Sequence, residues 1–127
     1  RPEQAKALAT RLAGRFGDGR AHAAAHDDLP GLLTAADGLV NATPAGMAHH
    51  PGLPLPAELL HPSLWVADIV YRPLETPLLR HARALGCRTL DGGGMVVFQA
   101  AQAFRLFTGR EPDTGRMLAH LAELIAS

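Results

Sequence analysis

Short apolar runs separated by amphipathic helical stretches constrain this chain more than any other feature. Gly38-Leu39-Val40-Asn41-Ala42-Thr43 reads as a buried strand ending in polar residues. Leu64–Val70 reads as the clearest strand and Cys87–Leu90 as a third, short one. Between the last two, Glu75–Leu85 places Leu78, Leu79, Ala82 and Leu85 inward and Arg80, His81 and Arg83 outward, and Gly86 ends the helix. Asp91-Gly92-Gly93-Gly94 leads into a long helix, Met95–Phe107, stopped by Gly109. Asp113 then caps a last helix with a stripe of Met117, Leu118, Leu121 and Ile125.

Upstream, Pro2 opens a helix carrying Ala5, Leu8, Ala9, Leu12 and Phe16, and Gly17-Asp18-Gly19 turns the chain. Arg20–Ala24 is a short strand candidate, and Asp27 or Asp28 can cap a second helix through Leu32, Leu33 and Ala36. Pro44 to Pro56 forms a long loop with four prolines, and Pro56–Leu60 a single helical turn. Strands alternating with helices through short links predict βαβ units, an α/β fold with a doubly wound parallel sheet. Ligands of such sheets sit beyond the carboxyl ends of the strands. Asn41–Gly46, Asp68–Pro73 and Asp91–Met95, each following a strand, are therefore expected to line one edge.

Composition excludes several function classes. The 127 residues, 47% hydrophobic, suffice for one domain with a real core. Twelve basic and twelve acidic residues cancel, which removes the electrostatic case for binding nucleic acid or an anionic membrane. Cys87 is the only cysteine, excluding an internal disulfide and a multi-cysteine zinc site and fitting a reducing compartment. No run approaches the ~20 apolar residues of a membrane span. The chain starts on a helical pattern at Arg1-Pro2-Glu3-Gln4, with no Met and no signal-peptide core. The expectation is a cytoplasmic protein whose start is missing from these residues. Of the seven histidines, His49 and His50 are adjacent and point apart, and His22 and His26 flank a strand end, so no metal site is expected. No serine stands in a nucleophile-elbow setting, and a thiol in a buried strand is inert, so no hydrolase nucleophile is found.

Each strand-end segment has a plain reading beside a functional one. Asn41–Met47 offers small residues that admit a flat ligand and polar ones that can bond ribose or phosphate, or else a turn of ordinary turn-formers. Asp68, inside an apolar strand, costs several kcal/mol unless hydrogen-bonded, so it is expected to fasten neighbouring loop amides. Tyr71, at that strand's mouth, either touches substrate or packs. Gly92–Gly94 permit close approach before a helix with unpaired amides, though without a dinucleotide fingerprint. Gln99 is either a buried clamp between helices or a ligand contact.

Taken together, Asn41-Ala42-Thr43-Pro44-Ala45-Gly46-Met47, Asp68-Ile69-Val70-Tyr71 with Thr76-Pro77-Leu78-Leu79, and Asp91-Gly92-Gly93-Gly94-Met95 through Ala101 resemble the second half of the shikimate dehydrogenase family. The resemblance covers essentially the whole chain. Thr43–Met47 followed by His50-Pro51-Gly52 is most similar to the NAD-preferring quinate/shikimate dehydrogenases. It implies a Rossmann-type sheet incomplete at its N-terminal side. Residues 1–91 would be a partial dinucleotide-binding domain without its first two strands and Gly-rich loop. Residues 92–127 would be helices returning toward a missing substrate domain. The cofactor implied is NAD, with NADP as the alternative. Ala42 and Thr43 would border its adenosine half, and Val70, Gly94 and Met95 the nicotinamide. Tyr71 and Gln99 would reach the hydroxyls or carboxylate of shikimate or quinate.

The family's catalytic Lys and Asp and its Ser-x-Ser motif have no counterpart here, so no catalytic residue is assigned. Arg1 would fall just after the absent second strand, beside the acidic residue that holds an NAD ribose, or would itself face a 2′-phosphate. The implied activity of the complete protein is hydride transfer from the ring alcohol to nicotinamide, with the missing Lys as general acid/base. The alternatives are a non-catalytic nucleotide-binding module and another two-domain dehydrogenase, of glutamyl-tRNA or methylene-tetrahydrofolate type. Tyr71 and Gln99 argue against the latter. In a sheet of order 3-2-1-4-5-6, Arg20–Ala24 would be the third strand and those at Gly38, Leu64 and Cys87 the fourth to sixth. Without the first two, the Leu39–Ala42 edge would be bare. The segment alone is expected to be poorly soluble or molten and to bind no dinucleotide.

Overall fold

Helical spacing at the start of the chain produces a helix, α1, over Pro2–Phe16. The computed structural model describes residues 2–126, the Ala126 side chain excepted. Arg1, with the ribose-side position expected of it, lies outside the described residues, as does Ser127. Gly17, at φ +99°, adopts a left-handed conformation that only glycine takes without strain, and its N–H bonds Ala13 O at 2.8 Å to close the helix. No strand forms over Arg20–Ala24; the chain there is irregular. A strand exists only as one side of a ladder, and no described residue pairs with this one. Its alanines also have little β-propensity. A 3-10 turn at His26–Asp28 leads into a short helix, α2 (Leu29–Thr34). Asp28 turns its carboxylate back to Ala25 N–H (2.9 Å) and so secures the 3-10 turn, leaving α2 without a side-chain cap. α2 stops before Ala36, and the chain divides into two compact units between Ala35 and Ala36.

The second unit contains a parallel sheet in the order β1 (Gly38–Asn41), β2 (Trp65–Asp68), β3 (Arg88–Leu90). Register pairs Gly38 with Trp65 and Asn41 with Asp68, then Trp65 with Arg88 and Ala67 with Leu90. Gly38 is required by its neighbour, because a Cβ there would lie 2.0 Å from the Trp65 indole. β1 is not the buried strand its composition suggests. Among the described residues it pairs on one side only, and Val40 is exposed. It also ends at Asn41, where the side chain takes over the hydrogen bonding and the chain turns out of the ladder.

Between β2 and β3, α3 (Pro77–Ala84) packs on both strands. Thr76 caps it, its Oγ1 accepting from Leu79 N–H at 3.3 Å, and Pro77 fills the first helical position. Leu78, Leu79 and Ala82 are buried with Val66, Leu64 and Val70 to form the core. Leu85 lies one residue past the helix and is exposed rather than inward. Gly86 (φ +84°) reverses the chain, with Cys87 N–H bonding Ala82 O at 3.0 Å.

α4 (Gly92–Thr108) begins three residues earlier than the apolar pattern implies. The glycine run is helical, and Asp91 caps it by accepting from Gly93 N–H at 2.9 Å. Gly109 ends α4 in the left-handed conformation (φ +66°), and Asp113 caps α5 (Thr114–Ala126), its Oδ1 accepting from Arg116 N–H at 2.9 Å. α5 packs on α4 with Met117, Leu121 and Ile125 half-buried, while Leu118 stays exposed. Arg105 fastens the link between the two helices with a two-pronged ion pair to Glu111 (2.7 and 2.6 Å). That hydrogen bonding holds the Glu111 carboxyl below its ordinary range and Arg105 above its own. No helix among the described residues is long and apolar enough to cross a membrane.

Candidate functional site at the carboxyl edge of the sheet

Parallel strands bring their carboxyl ends to one edge, and Asn41 and Asp68 are the paired last residues of β1 and β2. Both are 2% exposed. Asp68 Oδ1 accepts from Asn41 Nδ2 and from Val70 N–H, each at 3.0 Å, and Oδ2 accepts from Thr76 Oγ1 at 2.7 Å. The expectation that this carboxylate fastens neighbouring loop amides is met at Val70 N–H; its other partners are side chains, and Thr76 is one that sequence reasoning missed. Thr followed by Pro signals a helix cap, which Thr76 is, but the bond to Asp68 depends on the fold that brings the two together. Asn41 completes the set. Its Nδ2 also donates to Ala45 O (3.0 Å), and its Oδ1 accepts from Thr43 N–H (3.1 Å) and Thr43 Oγ1 (2.7 Å). No buried side-chain nitrogen or oxygen among the described residues lacks a partner.

The three glycines of the third segment do different work. A Cβ on Gly92 would lie 2.5 Å from Ile69 O and 2.6 Å from Val70 O, so the first turn of α4 sits directly on the chain leaving β2. A Cβ on Gly93 would meet Leu74 at 2.7 Å and Leu121 at 3.6 Å. Gly94 meets nothing closer than the Phe98 ring, 3.9 Å away. Gly92 is therefore demanded by backbone packing, Gly93 is crowded only by side chains that can shift, and Gly94 leaves a space that a side chain would fill.

Ala42 and Thr43 are exposed on the turn after β1, and Tyr71 is exposed beyond β2. Met95 and Gln99 are exposed one helical turn apart on α4, whose buried face is Gly93, Val97 and Ala101. Gln99 is thus not the buried clamp that its apolar neighbours suggest, and Gln102 instead accepts from Arg105. Val70 differs from the other candidates: at 2% exposure it belongs to the core and offers a ligand almost no surface. Cys87 is buried, its thiol donating to His61 O at 3.3 Å. No group of three or more potential metal ligands occurs among the described residues. Lys6, the single lysine, pairs with Glu3 on the exposed face of α1. A groove of about 600 Å³ between α4 and α5, lined by Phe104, Met117 and His120 among others, contains none of the candidate residues.

The family model described as Shikimate 5'-dehydrogenase C-terminal domain matches residues 92–121. A shikimate dehydrogenase (NADP(+)) from Streptomyces avermitilis is 75% identical over 123 residues, covering 97% of this chain and 42% of the relative. A quinate/shikimate dehydrogenase (NAD(+)) from Corynebacterium efficiens is 50% identical over 97% of this chain and 43% of its own length. Among solved structures, the quinate dehydrogenase from Corynebacterium glutamicum in complex with NAD superposes with a TM-score of 0.88 at 45% identity, over 96% of this chain and 43% of that one. The chain thus spans about two fifths of the length of the curated relatives it matches. In sequence and in its Rossmann-like parallel sheet, the chain is similar to the C-terminal portion of the shikimate and quinate dehydrogenases.

Proposed function

We propose that the protein carrying this chain transfers a hydride between NAD, or alternatively NADP, and the ring hydroxyl of shikimate or quinate, with 3-dehydroshikimate or 3-dehydroquinate as product. The observation that carries this reading is the meeting of three strand-end segments at one edge, with Gly94 open among them. The open face at Gly94 and the exposed Met95 suit a flat ring, which is the test the dinucleotide must pass here. Ala42 and Thr43 then border the adenosine half, and Gly94 and Met95 the nicotinamide; Val70 is carried to that wall by the family resemblance alone. Tyr71 and Gln99 bond the ring acid. The bound dinucleotide supplies the hydride acceptor. These residues bind and orient, and the proton-transferring Lys and Asp belong to the substrate domain. In this reading residues 1–91 serve the cofactor and residues 92–127 pack toward that domain.

The full-length protein is assayed for reduction of NAD and of NADP with shikimate and with quinate. Turnover with one of the four pairs is expected, and Gly94→Val should abolish it while the thermal transition persists. Dinucleotide binding by calorimetry without turnover on either acid would favour the nucleotide-binding module instead.

A further inference from the structure

We propose that Asn41, Asp68 and Thr76 are positioning residues whose buried network sets the turn at 42–46 and the backbone at Val70 relative to each other. They thereby govern dinucleotide affinity without touching the ligand. The inference rests on the dinucleotide-binding reading above. Asp68 is where three elements meet: its oxygens take Asn41 from β1, the Val70 N–H beyond β2, and the Thr76 hydroxyl that caps α3. Asn41 passes that placement on through all four of its hydrogen-bonding positions, to Asp68, Ala45 and twice to Thr43. The far end of the turn rests on the same device, since a Cβ on Gly46 (φ +97°) would lie 3.2 Å from Thr76 Cβ. Apolar residues of similar volume can stabilise a core as well as a buried polar set does. What the network adds is a single relative placement of two loops, and a wall already held in its binding conformation spares the ligand the cost of ordering it.

The test uses Thr76, which is fully buried and so offers a ligand no surface of its own. In the full-length protein, Thr76→Val keeps the shape and removes the hydroxyl, Thr76→Ser keeps the hydroxyl, and Thr76→Cys substitutes a weaker donor. Dinucleotide Kd by calorimetry is expected to rise roughly tenfold for Val, return to within about twofold for Ser, and fall between for Cys. kcat at saturating dinucleotide should change by less than about twofold. A lowered melting temperature with unchanged Kd, or a Ser variant as weak as Val, would overturn the proposal. If Thr76→Val does not fold, a Cys variant with wild-type Kd overturns it equally. Wild-type protein that binds dinucleotide without oxidising either acid removes the reaction and leaves this test intact; wild-type protein that binds none removes both.

Discussion

The carboxyl edge of the sheet and the helical hairpin of α4 and α5 solve opposite problems. At the edge, polar side chains are buried and every one of them is satisfied. Along the hairpin, large apolar side chains stand in the open, Leu106 at 82% and Phe107 at 87% exposure. α4 belongs to both regions. Its first turn fits so closely against β2 that Gly92 tolerates no side chain, while its last turn leaves two of its largest residues bare. The geometry of the edge is therefore determined within these residues. A bare apolar face of this kind marks a surface built to be covered, in keeping with the proposal that residues 92–127 pack toward a substrate domain.

Substitutions should separate the two regions, with the large stability losses confined to the edge and only small ones on the hairpin. The largest effect is expected for Asp68→Ala, which leaves Asn41, Val70 and Thr76 donors buried without an acceptor. A loss of about 3–5 kcal/mol should appear in urea unfolding of the full-length protein. Gly92→Ala comes next, at about 2–3 kcal/mol, because backbone oxygens must give way. Gly94→Ala, two residues on, should leave stability within about 0.5 kcal/mol, and equal costs at the two positions would break the distinction drawn between them.

On the hairpin, Gln99→Ala should raise KM for the ring acid by the equivalent of about 1 kcal/mol, with dinucleotide KM and melting temperature unchanged. The smallest effect concerns Glu111, whose carboxyl is held low chiefly by its hydrogen bond from Arg105. Because the folded pKa lies below the unfolded one, the pair's stabilisation is present above the ordinary carboxylate range. It is lost as pH falls through the folded value. Both groups are solvent-exposed, so the contribution is small and weakened by salt. Glu111→Gln should lower the melting temperature slightly at neutral pH and not at all in acid.

What the sequence reveals and what it conceals follow from how local each cause is. Helix ends were legible because caps act within a few residues: Gly86, Gly109 and Asp113 all serve as their positions imply. The role of Asp68 was legible because a carboxylate in an apolar strand must find donors. Arg20–Ala24 misled because strand formation depends on a partner elsewhere in the chain. Gly92–Gly94 misled for a related reason: their poor helix propensity is overridden by packing on β2 and by the Asp91 cap. Gln99 looked buried because its neighbours are apolar, whereas the face α4 buries is its small one, Gly93, Val97 and Ala101. The site's loops were foreseeable from the strand ends, but the Thr76 contact needed the fold to bring it under Asp68.

The hydrogen bonds around Asn41 also have a direction. Thr43 Oγ1 spends its one hydrogen on Asn41 Oδ1 and takes a second bond from Ala45 N–H at 3.2 Å. Asn41 in turn sends both of its amide hydrogens inward, to Asp68 and Ala45. Every proton of these side chains is thus consumed by the protein itself, and the outward capacity that remains on the exposed Thr43 hydroxyl is a lone pair. Toward solvent that hydroxyl is electron-rich: it can receive a hydrogen from whatever settles against it, and has none to give.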